Sequence, residues 1–239
     1  MSTRDRGAAL LSWGECGGRM MHVHEVVNGL VCGCVCPSCR APLIARNRGR
    51  QRQAHFAHRS VVQCAGVCET ALHRAAKEIL GTAKSIRLPR LPAWGIEHPP
   101  CPESVRDVWK HLADCYDIAE AELECRIGEY IADIVLYDHD RNRLCVEIVV
   151  THEPGDRKLH GYFGLGIPCL VIDLHAVDRS LDRQSLHHSL VECIDHKRWG
   201  IPEAARSMAE TGDMPIAEFS PDAMPVDSHP SGHTPQPCF

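Results

Sequence analysis

Two short segments, Cys36-Pro37-Ser38-Cys39 and His55-Phe56-Ala57-His58, constrain the fold of this chain more than any other feature of it. Zinc takes four sulfur or nitrogen ligands in a tetrahedron, and a C-x2-C turn brings two thiolates to one point. The remaining ligands come from His55, His58 and Cys64. In an extended segment positions 55 and 58 point to opposite faces, so both can bind one ion only if the chain turns between them. Cys64 is the substitute, with Cys32 and Cys34 in reserve. A shell rich in thiolate is that of a structural metal. The base-deaminase pattern (H-x-E with P-C-x-x-C) is missing, and neither His24-Glu25 nor His152-Glu153 continues into the H-E-x-x-H of zinc proteases.

The chain has 14 cysteines, a number that would suit a disulfide scaffold in a secreted protein. Its first eleven residues are charged and only briefly apolar, which is too little for a secretory signal. A cytoplasmic location follows, with thiols reduced or metal-bound. No run of eighteen apolar residues occurs, so no membrane span is expected. The later cysteines (Cys101, Cys115, Cys125, Cys145, Cys169, Cys193) stand singly among apolar residues and read as small core side chains.

Hydrophobic spacing divides the rest. Residues 20–31 read as a hairpin turning at Asn28-Gly29. A helix is expected over 68–83, with Leu72, Ala75, Ala76, Ile79 and Leu80 on one stripe and Glu69, His73 and Lys77 on a neighbouring one. Residues 130–137 and 144–150 are short apolar strands joined by a polar turn, hence an antiparallel pair. A short helix over 157–165, a strand over 169–174 and a helix over 184–197 complete a mixed α/β arrangement. After residue 202 the periodicity ends, and 201–239 reads as a disordered tail. The expected division is a flexible start (1–19), a zinc-ribbon-like module (20–66), a larger domain (67–200) and the tail.

Charge is unevenly spread. Residues 40–90 carry eleven Lys or Arg against two acids, and residues 100–160 carry seven against fourteen. Arg46, Arg48, Arg50, Arg52 and Arg59 are suited to gripping phosphates, and the acidic stretch to gathering a cation. Within that stretch Asp133 opens one apolar strand and Glu147 lies inside the next. A charge in so apolar a strand is costly unless paired or metal-bound. Neighbouring strands can bring the two carboxylates together around Mg²⁺ or Mn²⁺, which prefer oxygen ligands.

Asp133 followed by Glu147 resembles the D-(x)n-E-x-K pattern of the restriction-endonuclease-like, PD-(D/E)xK, superfamily. More closely, the chain resembles the competence protein CoiA family. That resemblance rests on Cys36 to Cys39, His55 to His58, Glu69-His73-Lys77, Asp133, the segment Val146-Glu147-Ile148-Val149-Val150-Thr151-His152, and Val171-Ile172-Asp173-Leu174, in that order. It implies an α/β (α+β) fold in which a zinc-ribbon-like module precedes a nuclease-like mixed-sheet core flanked by helices. It also implies Asp133 and Glu147 as ligands of a catalytic Mg²⁺ or Mn²⁺, with His73 facing nucleic acid. One departure stands out: the superfamily lysine belongs two residues after Glu147, where this chain has Val149. Lys158 and Lys77 are the candidates for its role, and His152 for a contact to metal or phosphate.

The expected function is metal-dependent endonucleolytic cleavage of DNA. The alternatives are an inactive nuclease fold that binds DNA during uptake, recombination or repair, and a zinc-stabilised scaffold for another protein.

Overall fold

The computed structural model describes residues 10–49, 51–60, 64–91, 112, 114–203 and 205. The expected tail from 206 onward, the first nine residues and Arg50 therefore lie outside the described residues. No described helix is long and apolar enough to cross a membrane.

The chain opens with a hairpin of β1 (Trp13–Cys16) and β2 (Arg19–His22), paired from Trp13↔His22 to Cys16↔Arg19. Its two-residue loop is Gly17-Gly18, and both glycines lie at positive φ (59° and 82°), the requirement of the tightest hairpin turns. This differs from the hairpin expected over 20–31. Asn28-Gly29 does not reverse a strand pair. Instead Gly29 exchanges both backbone hydrogen bonds with Ala45 (2.8 and 3.1 Å), so the segment is spent bracing β3. Strand β3 (Leu43–Arg46) pairs antiparallel with β4 (His55–His58).

Helix α1 (Val67–Leu80) follows, its apolar stripe buried as the spacing predicts. After β5 (Ser85–Arg87) and β6 (Cys115–Asp117), a small antiparallel pair, the main sheet begins. It contains β7 (Glu120–Ile127), β8 (Tyr130–Tyr137), β9 (Arg143–Val149), β10 (Cys169–Asp173) and β11 (Lys197–Trp199). Their order across the sheet is β11-β10-β9-β8-β7; β9 and β10 run parallel and every other pair antiparallel. Helix α2 (Asp156–Gly164) makes the crossover that the parallel pair requires. Helix α3 (Arg183–Val191) is capped by Asp182, whose side chain accepts from the Ser185 amide (2.8 Å). It is shorter than the helix expected over 184–197. Its stripe ends at Leu190, Ile194 is 46% exposed, and the chain from Lys197 joins the sheet instead.

Period-two alternation in the sheet decides which helix covers which residues. Ile134, Leu136, Leu144, Val146, Ile148, Leu170 and Ile172 share one cluster with α1 and α3. Val135, Cys145, Val149, Cys169 and Val171 share another with Leu159 and Tyr162 of α2. The first cluster also contains Leu11, Trp13, Leu43 and Phe56, so the cysteine-bearing hairpins and the main sheet have one continuous core. Arg183 reinforces the junction. Its guanidinium donates to Glu25 (2.8 Å) and to the Met20 carbonyl and lies over the Trp13 ring.

Gly161 seats α2 against the sheet: a β-carbon there would meet the Tyr130 ring at 2.3 Å. Gly161→Ala is expected to destabilise the protein by about 1–3 kcal/mol through overpacking. A urea midpoint equal to that of the wild type would show that Tyr130 simply swings aside.

Candidate functional site

Cys36, Cys39, His58 and Cys64 bring their ligand atoms within 4.8 Å of one another, a group that could hold a zinc ion. The thiols of Cys36 and Cys64 are 3.8 Å apart, and Cys39 Sγ lies 3.4 Å from His58 Nε2. Burial pushes the Cys36 thiol up to about 11, while hydrogen bonding from the Ala41 backbone holds that of Cys39 below its ordinary value. A divalent cation would bind both as thiolates and release their protons.

The choice of histidine follows from strand geometry. His55 and His58 lie three positions apart in β4, so their side chains leave opposite faces. His58 reaches the thiols; His55 turns away, its Nδ1 donating to the Gln53 carbonyl at 2.9 Å. His55 is thus not a ligand, and Cys64 completes the set. Cys64 stands just before α1, and Arg74 of that helix donates to the Pro37 carbonyl (3.1 Å) inside the C-x2-C turn. Arg74 and Arg40 both pair with Glu15, and these bonds, led by that of Arg40, hold its carboxyl below the usual range against burial. The cluster is in this way fastened to the helix.

The second constellation lies where β8 and β9 part. Their pairing runs from Tyr137↔Arg143 to Ile134↔Val146. The next pair in that register would be Asp133 and Glu147, but Asp133 enters the gap: its Oδ2 accepts from the Ile148 amide at 2.9 Å. On the other side the β7–β8 ladder skips the same position, and Glu124, opposite Asp133, has φ 52°. Helix α1 supplies the remaining partners. His73 Nε2 lies 3.0 Å from Asp133 Oδ2, and Lys77 Nζ lies 2.9 Å from Oδ1 while also pairing with Glu124. Burial works to raise the Asp133 pKa, but His73, the Ile148 amide and Lys77 outweigh it and hold the carboxyl far below the usual range.

Glu147, between Cys145 and Val149, belongs to the face covered by α2. Lys158 Nζ donates to its Oε2 (2.7 Å) and the Tyr162 hydroxyl to its Oε1 (2.9 Å). Burial raises its pKa, Lys158 opposes this, and the nearby negative charge of Asp133 adds to the rise. The two carboxylates are therefore electrostatic neighbours whose bonding partners come from opposite layers.

The other expected site residues lie elsewhere. Glu69 pairs with Arg179 (3.6 Å) one turn up α1 from His73. His152 is exposed beyond β9, its ring bonded to Thr151 Oγ1 at 2.9 Å. Arg46, Arg48 and Arg52 line an open cleft of about 660 Å³, with His55. Arg59 is exposed and donates its amide to the Pro42 carbonyl (3.0 Å). Sequence reasoning missed Tyr162, Glu124 and Arg74. Tyr162 is four residues after Lys158 on one helix, so the pair had a readable spacing. Glu124 depends on strand register and left no such signal.

The fold and site define a mixed α/β protein with three helices and a five-stranded sheet among the described residues, preceded by small sheets that carry a Cys3His cluster. No protein-family model, curated protein or solved structure matches the chain.

Two outcomes are expected. Purified protein should carry one zinc ion per chain, lost in Cys39→Ser and His58→Ala but retained in His55→Ala. Retention of metal by His58→Ala in a zinc-release assay would refute the ligand set. Separately, the folded pKa of Glu147 lies above its ordinary 4.5, so its contribution to stability is full below 4.5 and is lost as pH rises through the folded value. Glu147→Gln should accordingly gain stability relative to wild type across the window just above 4.5. A difference constant from about pH 4 to pH 8 would count against a titrating Glu147.

Proposed function

We propose that this protein is a metal-dependent hydrolase of DNA phosphodiester bonds, with its centre at the opening between β8 and β9. The observation that carries the reading is that two carboxylates hold opposed register positions at a gap between neighbouring strands, each bonded to its own lysine from the helix on its side. Asp133 and Glu147 come from opposed register positions of β8 and β9; Lys77 and Lys158 reach in from α1 and α2. The resemblance to the CoiA family and the restriction-endonuclease-like superfamily supports it, as does the order helix, three antiparallel strands, helix, parallel strand.

Val149 explains the departure from the E-x-K pattern. It faces the same side as Glu147 but is only 4% exposed, packed with Leu159 and Val171. An ammonium there would be buried among apolar groups beside Lys158, at a cost of several kcal/mol unless neutralised. Lys158 instead delivers its ammonium to Glu147 from the covering helix, which makes it the residue that takes over the role.

The donor set fits a hard cation. Asp133 and Glu147 offer carboxylate oxygens, and a nearby positive charge would offset the burial that chiefly raises Glu147 as well as the smaller repulsion from Asp133. A bound Mg²⁺ or Mn²⁺ would supply a polarised water nucleophile. Lys77 and Lys158, which neutralise the carboxylates, would turn to the phosphate oxygens as negative charge develops there. His73 holds Asp133 in place through its Nε2 contact.

One observation favours a second reading, an inert DNA-binding protein. All four carboxylate oxygens already have protein partners: Lys77, His73 and the Ile148 amide on Asp133, Lys158 and Tyr162 on Glu147. A plasmid-nicking assay with Mn²⁺ separates the two. Asp133→Ala and Glu147→Ala should each lower cleavage by about a hundredfold or more. Cleavage that survives in both variants, or that is missing from wild type with either cation, overturns the hydrolase.

A further inference from the structure

The cleft beside β3 and β4 carries a second site. We infer that it takes one unpaired nucleotide of a nucleic-acid strand, so that the protein engages single-stranded segments in preference to intact duplex. This deepens the hydrolase reading by naming the form of substrate, and rests on it only for the reaction.

The cleft is open and has a volume of about 660 Å³, room enough for one nucleotide against its lining. Arg46, Arg48 and Arg52 line it, and no carboxylate is among the described residues that do. That lining calls for an anion. Asn28, Gln51 and Gln53 add carboxamide groups, the side chains that match the donor and acceptor pattern of base edges. Gly29, Ile44 and Ala45 add a less polar part of the lining, and Gly29 and Ala45 are tied to each other by paired backbone hydrogen bonds. A free phosphate would leave the carboxamides and the less polar lining without a role. A duplex hides its base edges within the stack and offers a small cleft only its outer phosphates, whereas an unpaired nucleotide presents phosphate, base edge and base face together.

His55 supplies the flat surface that the base face needs. The same strand geometry that sends His58 to the metal sends His55 into the cleft. The bond from its Nδ1 to the Gln53 carbonyl fixes the ring, and a fixed imidazole or an arginine plane serves as a stacking platform. The motif His55-Phe56-Ala57-His58 therefore divides its histidines between two tasks, metal on one face and nucleotide on the other.

The test uses the zinc-loaded full chain carrying Glu147→Ala, without added Mg²⁺ or Mn²⁺, so that binding is read apart from cleavage. Fluorescence anisotropy would compare a labelled mixed-sequence single strand with its duplex. The single strand should bind about tenfold more tightly, and His55→Ala should remove about that factor while zinc content stays unchanged. Arg48→Gln with Arg52→Gln should lower the salt slope by about 1.4. Equal affinity for duplex, or single-strand binding indifferent to these three substitutions, overturns the inference. If binding behaves as stated while wild type cleaves nothing, the hydrolase fails and the nucleotide site stands. If wild type cleaves but the cleft variants bind normally, only the site falls.

Discussion

A carboxylate lying in the plane of the sheet, where a neighbouring strand would ordinarily be, is the interaction on which this architecture turns. Asp133 takes the Ile148 amide that pairing would otherwise satisfy. A buried peptide N–H left without a partner costs about 1–3 kcal/mol, so the side chain stands in for the missing strand at that position. The opening of the sheet, the left-handed backbone at Glu124 and the approach of Lys77 and His73 are all arranged around that one substitution.

Helix α1 carries the influence of each part to the next. Cys64 ties its start to the thiolate cluster, Arg74 binds the C-x2-C turn and Glu15, and Glu78 receives the Met20 amide (2.7 Å). His73 and Lys77 leave the same helix for Asp133. The polar stripe that sequence spacing shows as Glu69-His73-Lys77 is thus divided between a surface pair with Arg179 and a buried one with Asp133. The divergence reflects where the strands stop beneath it.

Much of this was legible beforehand because it depends on local periodicity. The apolar face of α1, the β8–β9 pair, α2 and β10 follow from spacing that only one burial pattern satisfies. What escaped depends on competition or register. The hairpin turns at Gly17-Gly18, within the stretch read as a flexible start, and not at Asn28-Gly29, because the backbone of Gly29 is taken up by Ala45. At the end of α3 the apolar stripe nominally continues to Ile194, but Lys197 donates to the Val191 and Arg87 carbonyls (3.0 and 2.8 Å), and the chain leaves for the sheet edge. At the Cys3His cluster the choice between His55 and His58 needed the knowledge that β4 is straight, which Phe56 reveals only once it is seen in the core. Lys158 was readable as one of two candidates for the lysine's role; Tyr162, which also bonds Glu147, was not sought.

The seamless core has a practical corollary for anyone dissecting the molecule. Trp13, Leu43 and Phe56 belong to the same buried cluster as the helix that also covers the main sheet, so among the described residues the cysteine-bearing half and the rest share one core. A cut near residue 66 would divide that cluster, part α1 from β1 and β2, and leave both fragments with exposed apolar surface. Melting should proceed as one cooperative event, and excised halves would reassociate or aggregate sooner than behave as independent folding units.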